Sequence, residues 1–276
     1  MSIFEEPKID CHAHILDPDR FPYRADTAYA PAGQEIGTAA QLASVLRAYG
    51  TRHVLLVQPN SGYGVDNSCM LDAIRSHPGV FKGVAIAPMD SDLASLRDLK
   101  DQGIVGIALN QTVYDRDYYR DAPRLFEKLS SLGMFAQLQV EKDQLELFRP
   151  WIEAIPVQVL IDHCGRPTPA EGVGQKGFQT LLSLAATGRV SVKLSGYVKF
   201  SAEPFPFSDT WPFIRALVGA FGLDHCMWAS DWPYLKAPYR QDYGPLLELV
   251  EMLFPDAADR RRLLWETPRR LFGFDA

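Results

Sequence analysis

The segment that decides the fold reads Lys8-Ile9-Asp10-Cys11-His12-Ala13-His14-Ile15-Leu16. If this segment is a strand, His12 and His14 point to the same face, because strand side chains alternate with a period of two. Two neighbouring imidazoles can hold a metal ion, polarise a carbonyl group or transfer a proton. The alternative is that one histidine caps a loop and the other is a core residue. The pair therefore indicates a site only if other strands bring matching groups to it.

The composition is that of a globular protein with one large core. The chain has 276 residues, of which 47% are hydrophobic and 22% charged, and its net charge is −6. That length suits a closed α/β barrel. The acidic balance and the lack of a basic run argue against a nucleic-acid partner. No apolar run approaches the roughly 18 residues that a membrane helix needs, so no membrane partner is expected.

The four cysteines give no sign of a disulfide framework or a zinc knot. They lie far apart, with no Cys-x-x-Cys pair, at Cys11, Cys69, Cys164 and Cys226. Cysteines without such spacing are typical of reduced compartments. The N-terminal residues also lack the basic and apolar regions of a signal peptide. The expectation is a cytoplasmic protein, with homo-oligomerisation left open.

Short apolar runs alternate with amphipathic segments along the whole chain. Eight runs rich in Val, Ile or Leu predict buried strands at 9–14, 53–58, 82–87, 105–110, 134–140, 157–163, 190–195 and 225–231. Helical periodicity predicts helices at 38–49, 66–76, 91–102, 123–132, 143–155, 177–187, 210–221, 244–254 and 257–271. This alternation predicts a (β/α)8 TIM barrel, a single domain over residues 1–276. A doubly wound open sheet is the alternative, but no Gly-rich phosphate loop follows the first strand.

Polar residues collect at the C-terminal ends of the predicted strands, where barrel proteins keep their sites. His12 and His14 lie on strand 1, His163 ends strand 6 and Asp231 ends strand 8. Strands 8 and 1 are neighbours in a closed barrel, so Asp231 can reach the histidine pair. A carboxylate buried after an apolar run is costly unless it is paired or bound to a cation. These four residues together predict a functional site.

Several longer motifs contain these residues. They are Ile9-Asp10-Cys11-His12-Ala13-His14, Leu56-Val57-Gln58-Pro59, Asp66-Asn67, Ile161-Asp162-His163-Cys164-Gly165-Arg166-Pro167 and Ser230-Asp231-Trp232-Pro233, with a C-terminal helix motif at 268–272. In these motifs and their order the chain resembles the amidohydrolase superfamily. It is most similar to the branch of 2-pyrone-4,6-dicarboxylate lactonase and related sugar and muconolactone lactonases. The resemblance covers essentially the whole chain.

The resemblance implies a hydrolase that opens a small oxygenated lactone, either carboxylated or derived from a sugar acid, by attack of water. Asp231 would be the general base, and His12, His14 and His163 would polarise the lactone carbonyl. This division of roles is chemically reasonable, because hydrogen-bond donors oppose the charge that develops on the carbonyl oxygen. The alternatives are a zinc-dependent decarboxylase of an unsaturated or aromatic acid, a lactone isomerase, and a non-catalytic barrel that binds a sugar acid.

The metal ligands of the superfamily are only partly present. Many relatives bind one or two divalent metals, and their sites also use a strand-5 His and, for two metals, a strand-4 Lys. Here strand 5 has Gln137 and Gln139, and strand 4 ends in Asn110. We therefore expect that no metal is required. If one zinc or manganese ion binds, the expected ligands are His12, His14 and Asp231, with an open coordination position.

The candidate substrate-binding residues favour neutral hydrogen bonding. A dicarboxylate lactone calls for arginine clamps, and Ala108 stands in the strand-4 segment where the dicarboxylate enzymes have Arg. The small-molecule ligand, a lactone or a sugar acid, is expected to contact Gln58, Asn60, Asn110, Arg166, Tyr197, Trp232 and Tyr234. Other reactive side chains are expected to be structural, with Cys164 buried and neutral and His53, His77 and His225 at the opposite end of the barrel.

Overall fold

The structure is a computed structural model that describes residues 2–275. Within them, eight strands form one sheet in the order β1 to β8. The strands are β1 Lys8–Ala13, β2 Thr51–Val57, β3 Phe81–Ala85, β4 Ile104–Asn110, β5 Phe135–Gln139, β6 Gln158–Ile161, β7 Val190–Leu194 and β8 Cys226–Trp228. The α-helices are α1 Ala39–Ala48, α2 Ser68–Ser76, α3 Leu93–Asp101, α4 Ala122–Leu132, α5 Leu145–Ala154, α6 Lys176–Ser183, α7 Trp211–Phe221, α8 Tyr243–Leu253, α9 Ala257–Arg261 and α10 Thr267–Phe272. The predicted (β/α)8 barrel is confirmed.

Contacts along the chain group the residues into two compact units. The first unit comprises 1–86, 101–105 and 228–276, and it contains β1 to β3 and α8 to α10. The second comprises 87–100 and 106–227, and it contains β5 to β7 and α4 to α7. In the first unit β1 pairs with β2 and β2 with β3, and in the second β4 to β7 pair in succession, all in parallel.

The chain directly after β8 forms backbone hydrogen bonds with β1 and the residue that follows it. The backbone N–H of Asp231 donates to the His12 carbonyl at 2.9 Å, and that of His14 donates to the Trp232 carbonyl at 2.8 Å. The regular strand nevertheless ends at Trp228, three residues before the predicted end. Asp231 has φ +63°, a left-handed conformation that a strand cannot contain. Asp231 therefore lies beside β1 in a turn of the backbone.

Several other predicted boundaries differ by a few residues, and two of these differences have a clear backbone cause. β6 stops at Ile161, because His163 and Cys164 have φ of 50° and 58° and form a short 3-10 turn. The predicted helix at 257–271 is divided into α9, a π-helical segment Arg262–Glu266 and α10. Pro268 lies in the first turn of α10, and a proline has no N–H for a continuous helical ladder.

The start of α1 agrees with its sequence signals. Thr38 and Gln41 form a reciprocal capping box, with Gln41 N donating to Thr38 Oγ1 at 3.2 Å and Thr38 N donating to Gln41 Oε1 at 2.9 Å. Gly50 follows the helix with φ +65°, the conformation that glycine adopts most readily. In the part of the chain that the structure describes, no helix is both long and apolar enough to cross a bilayer.

A buried ion pair joins the N-terminal segment to α9. Arg260, 4% exposed, donates from Nη2 to Glu6 Oε1 at 2.6 Å and from Nη1 to the carbonyls of Phe254 and Pro255 at 3.0 and 2.8 Å. Glu6→Gln would leave this guanidinium without its nearest carboxylate. Because breaking a buried pair on one side typically costs about 3 kcal/mol or more, we expect that loss in the free energy of unfolding, measured by urea denaturation.

The exposed pair between Arg149 and Glu153 provides the control for this prediction. Their side chains are 42% and 49% exposed, with 2.9 Å between Arg149 Nε and Glu153 Oε1. Glu153→Gln is expected to change stability by less than about 1 kcal/mol, because water already screens the two charges. Equal stability of Glu6→Gln and the unmodified protein would contradict the prediction.

Candidate active site

Three of the predicted site residues converge in the first unit. The distance from Asp231 Oδ1 to Nε2 is 3.5 Å for His14 and 3.7 Å for His12. All three side chains are nearly buried, and the two imidazole rings meet edge to face with centroids 4.9 Å apart. The expected proximity of Asp231 to the histidine pair is thus observed. One carboxylate oxygen faces two imidazole nitrogens in a site from which bulk water is largely excluded.

The hydrogen bond on the far side of His14 determines which of its nitrogens is free. His14 Nδ1 lies 2.7 Å from the Val57 carbonyl oxygen. A carbonyl can only accept, so Nδ1 carries the hydrogen. In neutral His14 the Nε2 lone pair would then point towards the Asp231 carboxylate, which is unfavourable. A proton on Nε2 or a cation between the two groups removes this conflict.

The spacing between Asp231 and each histidine also fits a metal ion. Ligand atoms about 2.1 Å from a tetrahedral ion lie about 3.4 Å from one another. The two observed separations of 3.5 and 3.7 Å match that spacing, and both exceed ordinary hydrogen-bond lengths. The bond from His14 Nδ1 to a backbone carbonyl is the kind of support that orients metal-bound histidines. Asp231 is therefore spaced from each of the two histidines as two ligands of one divalent cation would be.

Asp10 is a site residue that the sequence analysis missed. Its carboxylate is fully buried and accepts hydrogen bonds from His12 N, Ser230 N, Ser230 Oγ and Tyr243 Oη. Burial raises its pKa to about 6, although these donors partly oppose the shift. A signal for it was present, because an aspartate inside an apolar strand must find hydrogen-bond partners when buried.

His163 lies in the second unit, in the 3-10 turn that follows β6. It is 1% exposed, and its Nδ1 is 3.0 Å from Ser195 Oγ. The ring also rests against Gly196, where a Cβ would lie only 2.5 Å from the ring atoms Cγ and Nδ1. Ser195 and Gly196, directly after β7, thus hold the imidazole in one orientation.

Gln137, on β5, belongs to a buried network of the second unit. Its Nε2 donates to Asp162 Oδ2 at 2.9 Å, and its Oε1 accepts from Lys193 Nζ at 2.7 Å. Lys193 Nζ also lies 3.1 Å from Asp162 Oδ1, with both side chains buried. The Gln137 amide is engaged at both ends, and a fixed cation lies beside it. A divalent ion is therefore disfavoured near Gln137.

Several predicted substrate-binding residues use their polar atoms within the protein. Gln58 donates from Nε2 to the carbonyls of Gly64 and Asp66, at 3.2 and 2.7 Å. Asn110 Oδ1 accepts from the N–H and hydroxyl of Thr112, Tyr197 Oη donates to the Leu194 carbonyl, and Arg166 Nη2 lies 3.4 Å from Glu141 Oε2. In Gln58, Nε2 must be the atom facing the two carbonyls, which leaves Oε1 as a buried acceptor without a hydrogen-bond partner among residues 2–275.

Trp232 and Tyr234 line a cavity of about 550 Å³ in the first unit, together with Tyr49 and Tyr243. Tyr234 has φ +70°, and its buried hydroxyl has no hydrogen-bond partner within the described chain. Burial raises the pKa of this phenol well above its ordinary value, so Tyr234 is neutral. Asn60, in the loop that follows β2 of the same unit, is half-buried. Of the cavity's lining residues, none belongs to the cluster of His12, His14 and Asp231.

The remaining histidines make structural contacts. His53 stacks on Trp265 and Phe274, and His77 Nδ1 lies 3.1 Å from the Ala73 carbonyl oxygen. His225 Nδ1 lies 3.2 Å from Ser191 Oγ. All four cysteines are buried and free, and burial raises the pKa of Cys164 to about 12, as expected for an unreactive thiol.

Substitution of Gly196 is expected to displace His163. Gly196 has φ +63°, and an alanine Cβ would overlap the imidazole, so either the backbone or the ring must move. We expect Gly196→Ala to lower kcat by about 10²-fold, since a misplacement near 1 Å can have that effect. Steady-state kinetics together with the imidazole NMR signal of His163 would measure it. Gly188→Ala, also at positive φ but with nothing within 4 Å, is the control and should keep kcat. Unchanged His163 signals and kcat in Gly196→Ala would refute this.

The fold and the cluster of His12, His14 and Asp231 define a barrel enzyme with a His-x-His pair on the first strand and an aspartate after the eighth. Residues 9–274 match the family Amidohydrolase. The chain belongs to this family and is a hydrolase of the amidohydrolase superfamily.

Three similar proteins illustrate the relationship. The chain is 30% identical to a 4-sulfomuconolactone hydrolase from Rhizobium radiobacter, over 96% of this chain and 89% of that protein. It is 34% identical to an L-fucono-1,5-lactonase from Burkholderia ambifaria, over 92% and 91%. The crystal structure of a probable 2-pyrone-4,6-dicarboxylic acid hydrolase from Acinetobacter baumannii superposes with a TM-score of 0.88 at 27% identity, covering 97% of this chain and 99% of that one.

Proposed function

We propose that the protein hydrolyses a small oxygenated lactone, with Asp231 as the general base. The observation that carries the proposal is the placement of one Asp231 oxygen 3.5 and 3.7 Å from Nε2 of His14 and His12, all nearly buried. The relatives reported above are named for lactone hydrolysis, on a sulfomuconolactone and on a fuconolactone. Both relatives align along nearly their whole length.

Each group has one role in the proposed reaction. Asp231 removes a proton from water as the water oxygen bonds to the lactone carbonyl carbon. His12 and His14, with His163, donate hydrogen bonds to the carbonyl oxygen, on which negative charge develops. The ring C–O bond then breaks, and the leaving oxygen takes the proton from Asp231. The products are an alcohol and a carboxylic acid, which releases its proton to water and becomes a carboxylate. His14 Nδ1 is bound to the Val57 carbonyl, so this ring can donate to the substrate only from a protonated Nε2.

If one divalent ion binds, His12, His14 and Asp231 are its proposed ligands. When bound, such an ion would act as a Lewis acid towards the carbonyl and would increase the acidity of the attacking water. The proposal is that the protein's own residues perform the proton transfer and that a metal is not obligatory.

The proposed substrate carries hydroxyl groups in preference to two carboxylates. Arg166, the cation inside the matched motif, lies 3.4 Å from the Glu141 carboxylate, which reduces its capacity to hold a substrate carboxylate. Ala108 offers no charge on β4. Gln58 presents a buried acceptor oxygen that suits a hydroxyl donor. Gln58 and Asn60 are proposed to bind these hydroxyls, Trp232 and Tyr234 to pack beside the ring, and Asn110, Arg166 and Tyr197 to complete the pocket.

A lactone panel tests the proposed function. Purified protein would be assayed with γ- and δ-lactones of sugar acids and with carboxylated lactones, using a pH indicator to detect released acid. The assay would be run after chelation and again with zinc or manganese added. We expect acid release from a hydroxylated lactone in the chelated sample. No acid from any lactone, or a rearranged lactone without acid, would contradict hydrolysis.

A further inference from the structure

The pairing of β1 with β2 contains an irregularity between Asp10 and Ala13, the stretch that includes His12. Asp10 pairs with Val54, and the next matched pair is Ala13 with Leu56, so three steps on β1 correspond to two on β2. This is the register of a β-bulge, which redirects side chains that strict alternation would place on one face. Asp10 accordingly contacts Tyr243 of α8, whereas His12 faces Asp231.

The Asp10 carboxylate makes its bonds to the residues around this bulge. Oδ1 accepts from the backbone N–H of His12 at 3.2 Å and from that of Ser230 at 2.9 Å. Oδ2 accepts from Ser230 Oγ at 2.5 Å and from Tyr243 Oη at 3.1 Å. Ser230 Oγ in turn accepts from Trp232 N at 3.0 Å. One carboxylate thus secures His12 directly and secures the residues on both sides of Asp231.

The backbone of Asp231 needs such support. A non-glycine residue at φ +63° is in a sparsely populated conformation, which persists only where the surroundings hold it. Its own N–H donates to His12 O, and the N–H groups of Ser230 and Trp232 are bound through Asp10 and Ser230 Oγ. These hydrogen bonds are buried, since Asp10 is 0% and Ser230 2% exposed.

We propose that Asp10 is a positioning residue, which holds the β1 bulge and the left-handed Asp231 backbone so that the His12 ring and the Asp231 carboxylate face each other. The expected effect on kcat rests on the lactone hydrolysis proposed above. The expected effect on the positions of His12 and Asp231 does not. Asp10 acts because its Oδ1 accepts hydrogen bonds from His12 N and Ser230 N, so an asparagine amide of the same shape could hold the same two groups. In Asp10→Asn the oxygen can keep both N–H groups, and the new amide N–H groups can donate to the hydroxyls of Ser230 and Tyr243.

The hydroxyls can accommodate this reversal. Tyr243 Oη lies 3.1 Å from Thr51 Oγ1, a contact in which either oxygen can donate. Tyr243 would accept from the new amide and donate to Thr51 instead. Asp10→Ala offers no acceptor and leaves the N–H groups of His12 and Ser230 buried without a partner. Comparison of the two variants therefore tests whether kcat depends on an acceptor oxygen at position 10.

Kinetics of Asp10→Ala and Asp10→Asn test the positioning role. We expect Asp10→Ala to lower kcat by about 10²-fold with KM within about threefold, and Asp10→Asn to restore kcat to within about fivefold of the unmodified protein. Glu6→Gln is the control for stability loss alone, and it should lower the unfolding temperature without changing kcat. A kcat for Asp10→Ala close to that of the unmodified protein, or equal losses in both variants, would overturn the proposal.

Two further measurements keep the test decisive. If Asp10→Ala does not fold, Ser230→Ala removes the hydroxyl that holds Trp232 N, and we expect its kcat to fall about tenfold with KM kept; an unchanged kcat would overturn the proposal. Crystal structures of the unmodified protein and of Asp10→Ala or Ser230→Ala provide a test without turnover. We expect the His12 Nε2–Asp231 Oδ1 distance, 3.7 Å here, to lengthen and Asp231 to leave positive φ. Identical geometry would refute the positioning role even if lactone hydrolysis is confirmed.

Discussion

Asp231→Asn is expected to abolish most of the lactone hydrolysis, with kcat reduced by about 10³-fold or more. An amide of the same size retains the shape of the site but cannot accept a proton from water. Because the substrate's hydrogen bonds are otherwise unchanged, KM should remain within about threefold. Steady-state kinetics with the best lactone of the panel would measure both constants.

Asp26→Asn is the control for this result. Asp26 is 70% exposed and pairs with Arg24 at 2.7 Å, on the loop before α1. Its substitution should leave kcat and KM unchanged. If Asp231→Asn retained a kcat within about tenfold of the unmodified protein, another group would have to activate the water, and the role proposed for Asp231 would be wrong.

Lys193→Met is expected to produce the largest loss of stability, about 3 to 5 kcal/mol in the free energy of unfolding. Lys193 Nζ lies 3.1 Å from Asp162 Oδ1 and donates to Gln137 Oε1 at 2.7 Å, with the lysine side chain 0% exposed. Methionine fills a similar volume but leaves the buried Asp162 carboxylate without this cation. Equilibrium urea denaturation would determine the change.

A double variant distinguishes charge from packing in this network. In Lys193→Met with Asp162→Asn the unpaired buried charge is gone, so part of the lost stability should return. Lys176→Met removes a lysine whose side chain is 69% exposed and pairs with Glu146, and it should cost less than about 1 kcal/mol. Equal stability of Lys193→Met and the unmodified protein would show that the network adds no net stability.

The sequence predicted the order and type of the elements well, because each buried strand is a short apolar run with few competing interpretations. It also predicted that Asp231 would face the His12 and His14 pair, since strands 8 and 1 are neighbours in a barrel. It did not predict that Asp231 leaves the strand conformation. That departure depends on bonds from Asp10, which lies 221 positions earlier in the chain, and no local pattern around Asp231 encodes them.

Gln137 on strand 5 is a second residue whose tertiary contacts the sequence did not predict. From the sequence, Gln137 was only a residue on strand 5, the strand on which a histidine ligand was missing. The structure shows an amide whose two ends are bound to Lys193, on β7, and to Asp162, directly after β6. Arg166 was likewise predicted to contact the substrate, and the structure places the Glu141 carboxylate 3.4 Å from its Nη2.

The sequence by itself determined the alternation of strands and helices, the barrel class and the four side chains around which a hydrolytic site is proposed. These follow from local hydrophobic periodicity and from short motifs, which need no knowledge of distant contacts. Tertiary structure alone decided which polar atoms remain available to bind a substrate. It also decided how His14 is oriented and how Asp10 supports His12 and Asp231. Those properties arise from hydrogen bonds between residues far apart in the chain, and they exist only once the strands are paired.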